Sequence, residues 1–324
     1  MFIKKVVLLL IIAAICSSAM SQSEKVIIPS DLKQQTIVTE PVTLRKGYLR
    51  AGTAISYFAL DKYFIDATNK EYYTLSSWHT DFSYQIVLRY GITDRLEVDV
   101  AIPFTSKKTE IHYNTVWPSL NADLSMSGNY TAHGLADCDF TVKYQVIPDK
   151  GDNMSLTFWQ WVTVPTGVKN YTGVVSFSEF KLPLGNGSFT TGSWLNLRKI
   201  RYPYSFDVYI SYALKFQGSK MIYQDDTEET KFKDGNYFWT GGSFNIHLNE
   251  WIVLSNDLSY KYNQKGVIKY STEETIDPAW IFSYQPGLVF QVRRFRIAEV
   301  VQLPLMGKNN SADPLYVMKV FYTF

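Results

Sequence analysis

From Tyr202 to Phe216 every second residue is apolar or aromatic: Tyr202, Tyr204, Phe206, Val208, Ile210, Tyr212, Leu214 and Phe216. The residues between them include Asp207, Ser211 and Lys215. A period of two is the signature of an extended strand with two unlike faces. The same alternation sets Phe82, Tyr84, Ile86, Leu88 and Tyr90 against Gln85, Val87 and Arg89. It sets Leu96, Val98, Val100, Ile102 and Phe104 against Glu97, Asp99 and Ala101. Ala136, Cys138, Phe140, Val142, Tyr144 and Val146 alternate with Asp137, Asp139, Thr141, Lys143 and Gln145. The last residues place Tyr316, Met318, Val320, Tyr322 and Phe324 on one face and Lys319 on the other.

The pattern predicts about twelve strands, at 48–60, 80–91, 94–105, 134–147, 153–165, 187–199, 202–217, 236–248, 250–263, 280–292, 294–305 and 314–324. Most are of about ten or more residues, a length that suits tilted membrane-crossing strands and exceeds that of ordinary globular sheets. Short connections near Ile92-Thr93, Pro148 to Asp152, Ile200-Arg201, Asn249 and Arg293 alternate with longer polar segments. The longer ones are 61–79, 106–133, 166–186, 218–235, 264–279 and 306–313. Short turns at one end and long loops at the other define the expected fold: all-β, a transmembrane antiparallel up-and-down β-barrel with short periplasmic turns and longer extracellular loops. An even strand count puts both barrel termini on the periplasmic side.

In such a barrel the alternation is inverted relative to a soluble sandwich, with apolar side chains toward lipid and polar ones toward the lumen. The expected lumen lining is Gln85, Arg89, Glu97, Asp99, Asp137, Asp139, Lys143, Asp207, Lys215 and Lys319, with Arg89 opposite Glu97 if the first tight hairpin is in register. Those charges read either as a constriction that selects solutes or as an internal network that fills the barrel. The expected lipid-facing aromatic girdle is Phe82, Tyr84, Tyr90, Phe104, Tyr144, Tyr202, Tyr204, Tyr212, Phe216, Tyr316, Tyr322 and Phe324. Three strands alternate less cleanly: Trp194 falls among polar residues, Glu299 shares a face with Ile297 and Val301, and Asn256 interrupts Leu254 and Leu258. A bulge or a shifted register is the expected explanation.

The ends of the chain fit export. Lys4 and Lys5, the apolar run Val6 to Ile15, and Ala19-Met20-Ser21 before Gln22 have the three parts of a signal peptide. The expected organisation is a signal peptide at 1–21, a periplasmic N-terminal arm at 22–47 and an outer-membrane barrel at 48–324. Cys16 follows Ile15, where a lipidation box wants a small residue. Without the signal, Cys138 is the only cysteine, so no intrachain disulfide framework is available.

Composition adds 23 Tyr, 20 Phe and 8 Trp, and Tyr suits a membrane interface with one apolar and one wet side. A formal charge of +2 gives no basic excess for nucleic acid. His79, His112, His133 and His247 lack metal-ligand spacing, and the run Asp225 to Glu229 has no calcium-loop pattern. Ser243, His247 and Asp257 could form a hydrolase triad only by converging in space. The expectation is therefore no cofactor, no metal and no enzyme.

Several phrases stand in a fixed order: Gly91-Ile92-Thr93-Asp94-Arg95-Leu96-Glu97-Val98 with Ile102-Pro103, His133-Gly134-Leu135-Ala136-Asp137, and Val164-Pro165-Thr166-Gly167. Leu184-Gly185-Asn186-Gly187-Ser188, Gln302-Leu303-Pro304-Leu305 and a terminal Phe324 follow. In that order they resemble the outer-membrane transporter family named for the meta-pathway of phenol degradation, from about Gly47 onward. Ala136-Asp137 stands where such families usually have Gly-Asp. The resemblance implies passage of small molecules, hydrophobic ones included, across the outer membrane of a Gram-negative bacterium. The partners implied are outer-membrane lipid, the small-molecule solute, and the barrel-assembly machinery that reads the C-terminal strand. The alternative is a non-conducting structural or adhesive barrel with a plugged polar lumen.

Overall fold

The computed structural model describes residues 43–60, 62–72, 76–117, 122–148, 154–167, 172–175, 178–181, 184–220, 230–269 and 273–324. The signal-peptide segment, most of the N-terminal arm and the run Asp225 to Glu229 lie outside the described residues.

Twelve barrel strands follow in chain order: β1 Leu49–Leu60, β2 Ser76–Thr93, β3 Leu96–Trp117, β4 in two pieces (Ala122–Leu135 and Cys138–Ile147), β5 Met154–Val164 and β6 Thr190–Arg201. The remaining six are β7 Tyr204–Lys215, β8 Tyr237–His247, β9 Ile252–Asn263, β10 Ala279–Val292, β11 Phe295–Lys308 and β12 Leu315–Thr323. Each pairs antiparallel with its sequence neighbours, and β12 pairs with β1 from Arg50↔Thr323 to Phe58↔Leu315, so the sheet closes. Closure leaves no open strand edge, as a spanning sheet requires when lipid offers no hydrogen bonds. Among the described residues no helix is long and apolar enough to cross a membrane.

The segment 106–133, expected to be a loop, is largely strand: β3 continues to Trp117 and pairs with Ala122–Leu135 down to Phe104↔Leu135. Beyond the lipid neither face of a strand need be apolar, so this extension carries no period-two signal. The turn expected at Ile200-Arg201 lies two residues later, at Tyr202-Pro203, so Tyr202 belongs to the turn.

The outer face is apolar. Phe206, Val208, Ile210 and Leu214 of β7 are 43–61% exposed, while Ser205, Asp207, Tyr209 and Ser211 of the same strand are 0–2% exposed. The twelve aromatic residues named above are all exposed, from Tyr84 at 37% to Tyr202 at 67%, with Tyr202 in the turn and Phe216 and Phe324 just past strand ends. Such an apolar band is stable only against lipid. The inner face is mostly polar; among the described residues its apolar parts include Val253, Val289, Ala298 and Val300 with Val317, the group Val87, Ala101 and Phe321, and the aromatic group Trp159, Trp194 and Tyr209.

Neither Glu299 nor Asn256 sits at a bulge; the β10–β11 irregularity falls at Phe282/Ser283 instead. Asn256 keeps its outward place by accepting a hydrogen bond from Tyr284 Oη at 2.6 Å. Glu299 is outward on β11, in register with Leu288 and Met318. A charge on a lipid-facing site near the bilayer midplane costs about 2–4 kcal/mol for Arg or Lys and less for Glu. Ile210→Arg should therefore lower barrel stability by about that amount, and Glu299→Leu should raise it, both read from urea titrations of folding into vesicles.

Candidate solute pathway through the lumen

At the periplasmic end the lumen is filled by side chains. Glu97 is 1% exposed; its carboxylate accepts from Lys143 Nζ at 2.9 Å and from the Leu44 backbone N–H at 2.6 Å. The chain before β1 thus tucks into the mouth. Leu44 is buried there, and Thr43 Oγ1 donates to the Asp94 carbonyl at 3.2 Å. Gly91 is needed beside it because a Cβ would run into the Arg45 carbonyl.

Arg89 is opposite Asp99, not Glu97, with Nε 3.8 Å from the carboxylate. The β2–β3 turn falls at Asp94-Arg95, later than the expected Ile92-Thr93, and a one-residue register shift between Gly91 and Thr93 then puts Gly91 opposite Glu97, so the pairs that follow stand two residues from the expected hairpin. On the far wall Asp207 accepts from Ser243 Oγ at 3.1 Å and Asn245 Nδ2 at 3.3 Å, with Arg198 Nε at 3.8 Å. Asp257 accepts from Tyr209 Oη at 2.9 Å and Gln285 Nε2 at 3.3 Å. His247 meets Ser205 Oγ at 3.2 Å. Ser243, His247 and Asp257 therefore serve three different partners and do not assemble as a triad.

Higher up, Asp137 lies in the break between the two pieces of β4. The break does not open the wall, since the Ala136 N–H still donates to the Pro103 carbonyl at 2.9 Å. Asp137 is 8% exposed, and its carboxylate accepts the backbone N–H of Gly167 at 3.0 Å and of Asn186 at 2.5 Å. Thr166 completes the knot: its Oγ1 accepts from the Cys138 N–H at 3.0 Å and donates to the Ala136 carbonyl at 3.1 Å. A Cβ at Gly185 would collide with the Asp137 carboxylate, so only glycine lets the loop approach this closely. Three phrases far apart in the sequence thus meet at one latch, which ties both ends of the β5–β6 connection to the wall.

The tied loop places Leu184 in the lumen. Leu184 is 4% exposed and lines a cavity of about 420 Å³ together with Ser56, Phe58, Asp81, Lys107, Gln302 and Pro304 of β1, β2, β3 and β11. The facing wall is aromatic. Trp194 of β6 stacks on Trp159 of β5 (ring centroids 5.2 Å) and on Tyr209 of β7 (4.9 Å), and meets Trp239 of β8 edge-on at 4.9 Å. Lys261 Nζ lies 4.6 Å from the Tyr237 ring centre. The awkward Trp194 of the strand pattern is thus an inner-face residue in an aromatic cluster. Its signal was present in Trp159 and Trp161, two positions apart on the face shared with Ser155 and Thr157.

Of the other residues named for the lumen, Asp139 accepts from Thr163 Oγ1 at 2.5 Å and Lys215 Nζ contacts Asp234 at 3.2 Å near the extracellular mouth. Gln85 and Lys319 are half-buried on the inner faces of β2 and β12. The side chains of His79 and His112 lie outside the described residues. Among the described residues no group of three or more His, Cys, Asp or Glu gathers in a metal-binding arrangement.

No protein-family model matches the chain, and no curated protein sequence does. Among solved structures, an outer-membrane channel from Pseudomonas putida F1 is similar at a TM-score of 0.66 with 12% identity, covering 90% of this chain and 100% of that one. A looser likeness joins the chain to the toluene transporter TbuX of Ralstonia pickettii (TM-score 0.43, 9% identity, 90% and 99% covered). A porin crystallised with oligogalacturonate, KdgM, stands at a TM-score of 0.44 with 9% identity, 85% and 99% covered. The fold is that of an outer-membrane β-barrel.

Proposed function

We propose that the protein is a narrow outer-membrane channel for small molecules, exported by the signal peptide at 1–21 and folded into the lipid as a closed barrel. The observation that carries this reading is the latched loop: Asp137 holds Leu184 over a cavity of about 420 Å³, so the lumen keeps an entrance while its width is set by one tied segment. Outer-membrane channels set their selectivity by constrictions of this kind, lined by charged and polar groups. Below the cavity the route runs past buried Asp207, Asn196, Asn245 and Arg198. A purely apolar solute would strip water from these groups and return no hydrogen bonds. Small polar or amphiphilic molecules therefore fit better than hydrocarbons.

The second reading is a plugged structural barrel, and the periplasmic network favours it, since Glu97, Arg198, Asp207 and Asn245 are all 0–1% exposed. Solute flux separates the two. In proteoliposome swelling, small polar solutes should enter slowly through the native protein, and Asp137→Ala, which releases both loop amides, should raise entry roughly two-fold or more and admit larger solutes. Unchanged swelling in the variant would favour the plugged barrel. Glu97→Gln should cost about 3–5 kcal/mol by leaving Lys143 buried beside a neutral partner. It should also expose Arg45 and Lys46 to trypsin sooner, because Leu44 loses its charged acceptor.

A further inference from the structure

The cavity of about 420 Å³ beneath the extracellular mouth has an ordered lining, because inner-face positions of neighbouring strands stand level with one another in the sheet. On one level Ser56 of β1 is the partner of Ser83 of β2, and Ser83 is the partner of Thr105 of β3. Neighbouring strands lie about 4.8 Å apart, so the row sets three hydroxyls side by side at that spacing. The spacing is comparable with that between hydroxyls on alternate carbons of a six-membered ring. Two residues nearer the outside, about 7 Å on, a second row runs through Leu315 of β12, Phe58 of β1, Asp81 of β2 and Lys107 of β3. Gln302 of β11, the partner of Leu315, completes it.

The two rows differ in chemistry. Thr105 Oγ1 donates to Ser83 Oγ at 3.4 Å, and a hydroxyl in one such bond keeps further capacity to accept. Gln302 Nε2 donates to Ser283 Oγ at 3.1 Å, and the amide has a second N–H and a carbonyl oxygen besides. Phe58, Leu315 and Leu184 bring apolar surface to the same space. The charged members are directed at groups of the protein itself. Asp81 and Lys107 are opposite charges directly across from each other, and Asp313 accepts the Lys62 N–H at 2.7 Å. The outer rim is fixed as well: Asn310 and Ser311 pair with Phe64 and Tyr63, and the Ala312 N–H donates to the Lys62 carbonyl at 2.9 Å. The cavity is thus pre-formed, and it stands at the small end of ligand pockets, which run to roughly 300–1,000 Å³.

We propose that this cavity is a binding station for a neutral polyhydroxylated ring, of the monosaccharide or cyclic-polyol class. The ring's hydroxyls exchange hydrogen bonds with Ser56, Ser83, Thr105 and Gln302, while its C–H face packs on Phe58, Leu184 and Leu315. A wholly apolar ring would strip water from the hydroxyl row and return no hydrogen bonds. A charged solute would have to compete with the pairings that Asp81, Lys107 and Asp313 already make. The volume suits one ring rather than a chain of them. Resting on the channel reading, the station names the class of solute that pauses here on its way inward.

Binding and passage are read separately on the full chain. In detergent, saturation-transfer NMR with D-glucose should show saturable binding in the millimolar range, displaced by myo-inositol. Ser83→Val and Gln302→Leu should each weaken it several-fold, in samples that migrate as folded barrel when unboiled. Ser106→Ala, beside Thr105 on the exposed outer face of β3, should leave it unchanged. No saturable binding to the native protein, or equal binding in both cavity variants, would overturn the station. Tighter binding of benzoate or methylguanidinium that the same variants abolish would overturn the neutral class. In proteoliposome swelling, glucose should also enter. Binding without entry would overturn the channel and keep the station, and entry without binding would overturn the station and keep the channel.

Discussion

Lipid accepts no hydrogen bonds, and this constraint organises the rest of the molecule. Every backbone amide in the span must find a partner within the sheet, and the closed ring from β1 to β12 supplies them. Once the ring closes, the pleat sorts side chains by parity. Phe206, Val208 and Ile210 go outward to lipid, and Ser205, Asp207 and Tyr209 go inward. The inside then has to accommodate a large number of polar groups in a small volume. Their mutual pairing, as in Glu97 with Lys143, keeps the lumen narrow and polar.

Loops finish what the wall begins. A twelve-stranded barrel is wider than the packed eight-stranded kind and narrower than the water-filled porins. Its lumen can therefore be occluded by modest additions. Two are visible: the Thr43–Leu44 segment in the periplasmic mouth and the Leu184 segment beneath the extracellular one. Both are held by a buried carboxylate that accepts backbone amides, Glu97 below and Asp137 above. A carboxylate can satisfy amides of an irregular segment in whatever direction they point, which makes it a suitable fastener for chain that is neither strand nor helix.

The twelve strands were legible in the sequence because lipid enforces an apolar residue at every second position over the whole span. Outside the lipid that rule lapses, so the strand extensions toward Trp117 and from Ala122 were hidden. The hairpin register differs from the expected one because the turn falls at Asp94-Arg95 and not at Ile92-Thr93, and the irregularity at Gly91, where the Arg45 carbonyl packs close, offsets only one residue of that displacement. Asp137 was legible as an inner-face residue but not as a latch, since its partners, Gly167 and Asn186, are 30 and 49 residues away. Trp194 defied the pattern for the same reason: its neighbours Trp159, Tyr209 and Trp239 come from three other strands.

The most direct test is single-channel recording of the refolded native protein in a planar bilayer, after gels show that unboiled samples migrate as folded barrel. A narrow lumen with a latched loop should give small, discrete, flickering openings. Folded protein that stays silent across the accessible voltage range, with and without the Asp137 latch, would contradict a conducting path and leave a plugged barrel in its place.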